Sequence, residues 1–189
     1  MVTDNYEKEI SFIESVLKEA AQRLNHMKIQ SIHDKTSRDL VTSSDYAIEQ
    51  YIITMIQSQF PSDHILSEEM NQDTLLQERT WVLDPIDGTC NYANAIPMFG
   101  IQLALTVGSV IAAAGIMLPC LNELYLASQN GGCTLNGKKL TVKPDSINHS
   151  IVSFGDFNEE RQAASNLQSQ TMKRLLRLDK PFYKADKIQ

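Results

Sequence analysis

The sequence predicts a layered α+β fold in which N-terminal helices pack on a largely antiparallel sheet. As far as Pro61, apolar residues recur in steps of three and four, which is the spacing of one buried helix face. From Ile65 onward they fall in short runs, some with strict alternation of apolar and polar residues, as in strands. Turn sequences separate these runs, and the Asn-Gly pair at 136–137 is a strong hairpin signal.

Two helices are predicted before Pro61. The first carries its apolar face at Tyr6, Ile10, Ile13, Leu17, Ala20, Leu24 and Met27. The second begins near Ser43 or Ser44, and Pro61 ends it. Its apolar face consists of Ile48, Tyr51, Ile52, Met55 and Ile56. The polar segment from His33 to Ser44 is predicted to be a loop between the helices.

Short strands follow the second helix. Two of them, 65–66 and 81–83, lead directly into acidic residues and are separated by an exposed polar loop. Hairpin strands are then predicted at 98–107, 110–117 and 124–128, with a further pair around the Asn-Gly turn. A strand at 151–154 and a helix at 158–178 complete the prediction. We divide the chain into an N-terminal helix and sheet domain, 1–150, and the start of a second layer, 151–189.

Composition narrows the classes of function. The chain has 189 residues, with 17 Lys and Arg against 23 Asp and Glu, so its net charge is −6. An acidic chain with no basic run is poorly suited to nucleic acid, which is bound through Lys and Arg on phosphates. Residues 88–122 carry no charge, but their period of two favours strands over a membrane helix. The N-terminus lacks the features of a signal peptide. Three cysteines without metal-ligand spacing predict reduced thiols and a cytoplasmic protein.

The chemistry is concentrated in the segment 81–89, WVLDPIDGT. Asp84 and Asp87 lie on either side of a proline, and Gly88 allows the backbone to approach a ligand closely. Glu68 and Glu69 end the preceding strand. Crowded carboxylates stay ionised only if a cation lies between them, and oxygen ligands without His or Cys favour Mg²⁺ or Mn²⁺. The alternative is a solvated acidic turn after a strand.

A phosphate site is predicted beside these acids. The N–H groups of Gly88 and Thr89 lie at a turn leading into a helix, where backbone donors can hold an anion. Metal ions next to a bound phosphate are the arrangement that transfers a phosphoryl group to water. No His or Cys is placed to act as a nucleophile, so direct attack by water is expected.

The chain resembles the inositol monophosphatase family, within the lithium-sensitive, magnesium-dependent sugar-phosphatase superfamily. The segment 81–92, WVLDPIDGTCNY, is similar to the family signature W-x-x-D-P-I-D-G-T-x-N-[FY]. The segment 39–45, DLVTSSD, with Glu49 downstream, matches its D-L-V-T-x-x-D pattern. ILSEE at 65–69 resembles its strand ending in G-E-E, with Ser67 in place of the glycine. Later segments GIMLP (115–119), ELY (123–125) and LNGK (135–138) follow the family's meander.

The resemblance implies a role for each matching residue. Glu68, Asp84 and the carbonyl of Ile86 would hold a first Mg²⁺, Asp84 and Asp87 would share a second, and Glu68 would reach a third through water. Thr89, bonded to Asp45, would work with Glu68 to orient and deprotonate the attacking water. The N–H groups of Gly88 and Thr89 would bind the phosphate, and Li⁺ would inhibit.

Three of these neighbouring residues have alternatives that the sequence leaves open. Asp45 can instead be an acid stabilised by the start of its helix. Glu69 is interpreted as a surface acid or a support for the ligands rather than a ligand. Lys35 resembles a lysine near the family's site, but its spacing to Asp39 is one residue shorter, and a solvated loop lysine is the alternative.

The sequence departs from the family pattern in one respect. The family's W-D-x-A-A motif, which supplies a further aspartate to the second metal site, is absent, because Trp81 is the sole tryptophan. Asp179 and Asp186 lie in charged surroundings unlike that motif. We expect either a shortened protein or a fragment, with the second layer truncated.

The first functional hypothesis is a Mg²⁺-dependent phosphomonoesterase acting on inositol monophosphate or a similar small sugar phosphate. Within the same superfamily, nucleotide-3′-phosphate and fructose-bisphosphate hydrolysis remain alternatives. The second hypothesis is a weak or inactive metal-binding scaffold that acts through protein contacts. A homodimer is expected, since a second copy would cover an otherwise exposed sheet face.

Overall fold

In the computed structural model, residues 6–36, 39–73 and 75–141 are described, with the backbone alone at Lys35, Thr36 and Asp39. The predicted strand at 151–154 and helix at 158–178 lie outside these residues. So does the predicted layer 151–189. The described residues fall within one compact unit, Met1–Val142.

Three α-helices and nine strands make up the described part. The helices are α1 (Glu7–His26), α2 (Ser43–Gln59) and the short α3 (Thr89–Ala93), with a 3₁₀ turn at Pro119–Leu121. The strands are β1 (Ile32–Thr36), β2 (Asp39–Thr42), β3 (His64–Ser67), β4 (Arg79–Asp87), β5 (Gly100–Val107), β6 (Val110–Leu118), β7 (Glu123–Ser128), β8 (Gly132–Leu135) and β9 (Lys138–Leu140). Seven strands form one sheet in the order β3-β4-β5-β6-β7-β8-β9, parallel between β3 and β4 and antiparallel elsewhere. The predicted α+β class and the largely antiparallel sheet are confirmed.

The predicted loop from His33 to Ser44 is wrong. This segment forms the antiparallel pair of β1 and β2, with Ile32 opposite Thr42 and His33 opposite Val41, and Ser43 and Ser44 already belong to α2. Polar residues form strands readily when their backbone groups pair with each other. Among the side chains of β1 and β2 that the structure describes, only Val41 and Thr42 are buried. The apolar pattern was therefore too short to signal a strand.

The sequence suggested that the acidic motif follows a strand. In the structure, Asp84 and Asp87 lie within the strand. β4 runs from Arg79 to Asp87, and its pairing with β5 shifts register between Asp84 and Asp87. Pro85 has no N–H to give to the ladder, so it fits at this irregularity. The strand thus carries both aspartates along the edge shared with β5.

The core lies between the helices and one face of the sheet. α1 buries Phe12, Ile13, Val16, Leu17, Ala20, Ala21 and Leu24 against that face. Gly115 on β6 permits this contact, because a Cβ there would lie 2.4 Å from Ile13 Cγ2 and 2.9 Å from Leu17 Cδ1. Trp81 of β4 is fully buried, packs on Phe12 with ring centroids 5.3 Å apart, and donates from Nε1 to Asp63.

The uncharged stretch 88–122 forms α3, β5 and β6 rather than a single helix. Within the described ranges, no helix combines the length and hydropathy needed to cross a bilayer. The prediction of adjoining strands at 81–83 and 98–117 is confirmed, since β4 pairs with β5 and β5 with β6.

Candidate metal and phosphate site

Parallel pairing of β3 and β4 brings the first two acids together. Ser67 is the register partner of Leu83, so the next residues, Glu68 and Asp84, are neighbours. The Glu68 N–H donates to the Leu83 carbonyl at 3.2 Å, which extends the pairing beyond the end of β3. The side chain of Glu68 is within hydrogen-bonding contact of the Asp84 carboxyl.

Asp84 carries the strongest electrostatic signal of the site. Burial, followed by the charge of Glu68, the hydrogen bond with Glu68 and the charge of Asp87, raises the pKa of Asp84 from 3.8 to about 8. Its Oδ1 atom is buried and has no hydrogen-bond partner among the described groups. A buried acceptor without a donor is costly, and a cation would satisfy it.

Asp87 ends β4 and is exposed. Its Oδ2 accepts a hydrogen bond from Nε2 of Gln102, which lies on the adjacent strand β5. Gln102 is also the register partner of Asp84. The amide of Gln102 therefore holds the Asp87 carboxylate next to Asp84, a contact that the sequence alone did not reveal.

Gly88 turns the chain from β4 into α3. Its φ of 89° lies in the left-handed region, and a Cβ there would come within 3.1 Å of the Met98 carbonyl oxygen. The left-handed φ strains any residue that has a Cβ, and the Met98 carbonyl would have to move to make room for one. The predicted turn leading into a helix is confirmed, with Gly88 as the N-cap of α3.

The Thr89 hydroxyl links α3 to α2. Oγ1 lies 3.1 Å from Asp45 Oδ1 and 2.9 Å from the Ile86 carbonyl oxygen. The other oxygen of Asp45 accepts from the N–H and Oγ1 of Thr42, at 2.8 and 2.6 Å, within the capping box of α2. Asp45 therefore both caps its helix and holds Thr89, so the two sequence interpretations are compatible.

Burial also affects Asp45, which is 1% exposed. Desolvation raises the pKa of Asp45, while the hydrogen bonds from Thr42 and Thr89 act in the opposite direction. Burial is the larger effect, so the pKa of Asp45 lies above its ordinary value, and the hydrogen bonds from Thr42 and Thr89 limit that rise.

Sequence reasoning gave no role to Glu49. Its carboxylate is 0% exposed and accepts from Ser67 Oγ (2.6 Å), the Met70 N–H (2.7 Å) and the Glu69 N–H (3.0 Å). One signal was present in the sequence, because Glu49 lies four residues after Asp45 and so on the same helix face.

Two other predicted residues have different outcomes. The backbone of Lys35 lies in β1, and its side chain is outside the description. The Glu69 N–H donates to Glu49, and the role of the Glu69 side chain stays a prediction.

The oxygen donors gathered here fit a hard cation. Glu68 follows β3, Asp84 and Asp87 lie on β4, and all three contribute carboxylates. The Ile86 carbonyl oxygen lies 2.9 Å from Thr89 Oγ1, at the turn after β4. Across the described ranges, no three His, Cys, Asp or Glu side chains already converge on one point. Mg²⁺ suits such a site, because it is commonly held by one or two carboxylates and completes its shell with water and phosphate.

A cleft of about 310 Å³ opens beside the acids. Asp87, Gly88 and Asn91 give it a polar side, and Met98, Phe99 and Leu121 give it an apolar side. A hollow of about 430 Å³ at the end of α1 contains none of the predicted site residues. The first cleft can receive a small ligand next to Asp87 and Gly88.

Comparison with known proteins shows the family of the chain. The Inositol monophosphatase family matches residues 3–183. An inositol monophosphatase of Dictyostelium discoideum is 38% identical over 128 residues, covering 66% of this chain and 47% of the relative. A fructose-1,6-bisphosphatase/inositol-1-monophosphatase of Aquifex aeolicus is 32% identical over 151 residues, covering 79% and 56%.

Solved structures show the same fold. The Thermotoga maritima IMPase has a TM-score of 0.67 at 28% identity over 72% of this chain and 54% of its own. An IMPase/NADP phosphatase complexed with NADP and Ca²⁺ has a TM-score of 0.67 at 25% identity over 77% and 57%. The chain spans about half the length of the curated relatives it matches. Family match and fold together identify the chain as a member of the inositol monophosphatase family.

Proposed function

We propose that this chain is a Mg²⁺-dependent phosphomonoesterase that hydrolyses inositol monophosphate or a similar small sugar phosphate. The observation that carries the proposal is the buried, unpartnered Oδ1 of Asp84 beside Glu68. Two carboxylates in contact, one with a raised pKa, lower the stability of the fold when both are ionised, unless a cation binds between them. Membership of a family whose relatives are named as phosphatases supports the same conclusion.

Each residue of the site has a role in this proposal. Glu68, Asp84 and the Ile86 carbonyl would hold one Mg²⁺, and Asp84 and Asp87 would hold a second. Bound Mg²⁺ supplies charge neutralisation of the phosphoryl oxygens and lowers the pKa of water. The N–H groups of Gly88 and Thr89 orient the phosphate.

Thr89 and Asp45 handle the proton in this proposal. The Thr89 hydroxyl donates to Asp45 Oδ1, so Oγ1 can accept a proton from the attacking water while the proton of Thr89 passes to the Asp45 carboxylate. Glu68 holds that water from the other side. Thr89 is kept in place because Asp45 is itself bound twice by Thr42.

The experiment that tests the function is phosphate release with and without Mg²⁺. The 189-residue chain is incubated with inositol monophosphate, fructose 1,6-bisphosphate and a nucleoside 3′-phosphate, since the relatives carry more than one substrate name. Asp84→Asn removes the proposed ligand, and Asp73→Asn makes the same acid-to-amide change at an exposed loop position. Mg²⁺-dependent release by the wild type and Asp73→Asn, and none by Asp84→Asn, is expected. Release that is independent of Mg²⁺ contradicts the proposal.

The second candidate is a metal-binding scaffold with weak or no turnover. It uses the same acids, because Glu68 and Asp84 would bind a cation whether or not a phosphate ester is hydrolysed. Mg²⁺ binding by calorimetry without phosphate release from any ester would support the scaffold, and Li⁺ inhibition of release would support the enzyme.

The remaining parts of the proposal concern the cellular compartment, the oligomeric state and the position of Lys35. We propose a cytoplasmic homodimer with Mg²⁺ or Mn²⁺ bound and Lys35 near the site. Cys120 and Cys133 are free thiols, which suits a reducing compartment. Met98 and Leu121 are 65% and 51% exposed beside the cleft, and a second copy would cover them. Sedimentation of the chain as a monomer at all concentrations would contradict the dimer.

A further inference from the structure

We infer that Glu49 is a positioning residue that holds Glu68 in place for the cation, an inference that rests on the proposed function. Glu49 is on α2, 0% exposed, and separated in sequence by 18 to 21 residues from the groups it binds. No ion pair to Glu49 is found among the described residues. A buried charge is retained at a cost, and here the cost is offset by hydrogen bonds alone.

The three donors all come from the segment that carries Glu68. Oε1 accepts from Ser67 Oγ at 2.6 Å and from the Met70 N–H at 2.7 Å. Oε2 accepts from the Glu69 N–H at 3.0 Å. Residues on both sides of Glu68 are therefore tied to one carboxylate on a neighbouring helix.

The backbone of Glu68 is tied to the opposite side as well. Its own N–H donates to the Leu83 carbonyl of β4 at 3.2 Å, next to Asp84. The turn is thus bound to the strand that carries the other metal-facing acid and to the helix that carries Asp45. A turn held on two sides places the Glu68 carboxylate against Asp84 with little freedom, and repulsion between the two would otherwise move it away.

Ser67 contributes its side chain to this arrangement. It stands where the family pattern has glycine, and its hydroxyl, 2% exposed, contributes the third hydrogen bond to Glu49. A glycine could not supply that donor. The Ser67 hydroxyl and the Glu49 carboxylate therefore form one unit.

Glu49→Gln is the sharpest substitution, because it preserves the shape of the side chain. Glutamine has one acceptor oxygen and one NH₂ donor, so one of its two ends must face an N–H or hydroxyl donor. If the oxygen stays with Ser67 and Met70, the NH₂ faces the Glu69 N–H, and that end of the turn is released.

Amide hydrogen exchange in the absence of metal and Mg²⁺ affinity by calorimetry are measured on the 189-residue chain. In Glu49→Gln we expect faster exchange at the Glu69 amide, which loses its acceptor, and Mg²⁺ binding weakened about tenfold or more. Glu78→Gln, an exposed glutamate, should match the wild type in both. Ile52→Val, in the core on the same helix, should lower the melting temperature and leave Mg²⁺ affinity within about twofold.

Each other outcome is decisive. Unchanged exchange or unchanged Mg²⁺ affinity in Glu49→Gln overturns the inference, and so does an equal loss of affinity in Ile52→Val. If Glu49→Gln fails to fold, Ser67→Ala takes its place, with a loss of about two- to tenfold expected and no loss overturning the inference. A wild-type chain that binds no Mg²⁺ overturns the proposed function and the metal part of this inference, while the exchange rates separately decide whether Glu49 holds the turn.

Discussion

Replacing Asp84 by asparagine should stabilise the metal-free protein near pH 8 while removing its response to Mg²⁺. The pKa of Asp84 is raised from 3.8 to about 8, chiefly by burial and then by Glu68. Between these two values the folded state keeps a proton that the unfolded state has lost. The free energy of unfolding must therefore fall as pH rises through this window. Asparagine has no proton to lose, so the variant should lack this fall.

The size of the effect follows from the pKa shift with two reductions. One pKa unit corresponds to about 1.4 kcal/mol. For a fully buried, isolated group, this shift would lower the free energy of unfolding by about 6 kcal/mol once the group is ionised. Asp84 is only half-buried, so water screens its charge, and contact with Glu68 lets the pair share one proton. We expect Asp84→Asn to raise the free energy of unfolding at pH 8 by about 1–3 kcal/mol and to leave it nearly unchanged at pH 4.

Urea unfolding from pH 4 to pH 8, with chelator and then with Mg²⁺, measures both parts of this prediction. A ligand at 100 times its dissociation constant stabilises the folded state by about 2.7 kcal/mol. That gain should appear in the wild type and in the exposed control Asp73→Asn, and be absent from Asp84→Asn. Parallel pH profiles for wild type and Asp84→Asn would refute the electrostatic argument. An equal gain from Mg²⁺ in both would refute the metal assignment.

Three further predictions concern the same site. Thr89→Ala should lower kcat by about 10²-fold or more with little change in KM, and Thr89→Ser should retain most activity because the bond to Asp45 survives; equal kinetics for both variants would contradict this. Gly88→Ala should lower the free energy of unfolding by about 1–2 kcal/mol, since φ is 89° and the Met98 carbonyl is close; unchanged urea midpoints would contradict it. Calorimetry should show one Mg²⁺ bound alone and a second only when phosphate is present, and two ions bound without phosphate would contradict it.

The acidic motif could be predicted from the sequence because its chemistry is local. Asp84, Asp87 and Gly88 lie within five consecutive positions, and a short segment fixes what such residues can bind. The strands around them could also be predicted, since period-two alternation marks one buried face without knowledge of the partner strand.

The supports of the motif could not be predicted, because they depend on contacts between distant residues. Glu49 binds a turn about 20 residues away, and Gln102 reaches Asp87 from the adjacent strand. The sequence around a polar side chain does not indicate which distant group will form a hydrogen bond with it. The β1–β2 pair was missed for a related reason, since strand pairing satisfies the backbone of polar residues without an apolar pattern.

The repulsion among the carboxylates is maintained by packing on the other face of the same strand. Trp81 and Leu83 of β4 are buried in the core, so the alternation of the strand directs Asp84 to the opposite side. A slip of one residue would place Asp84 in the core and Trp81 in water. Because the core fixes the register, Asp84 cannot move away from Glu68, and only protonation or a bound cation can relieve the repulsion between the two carboxylates. Asp84 loses its proton as pH rises toward 8. We therefore expect Mg²⁺ to stabilise the folded state most near pH 8.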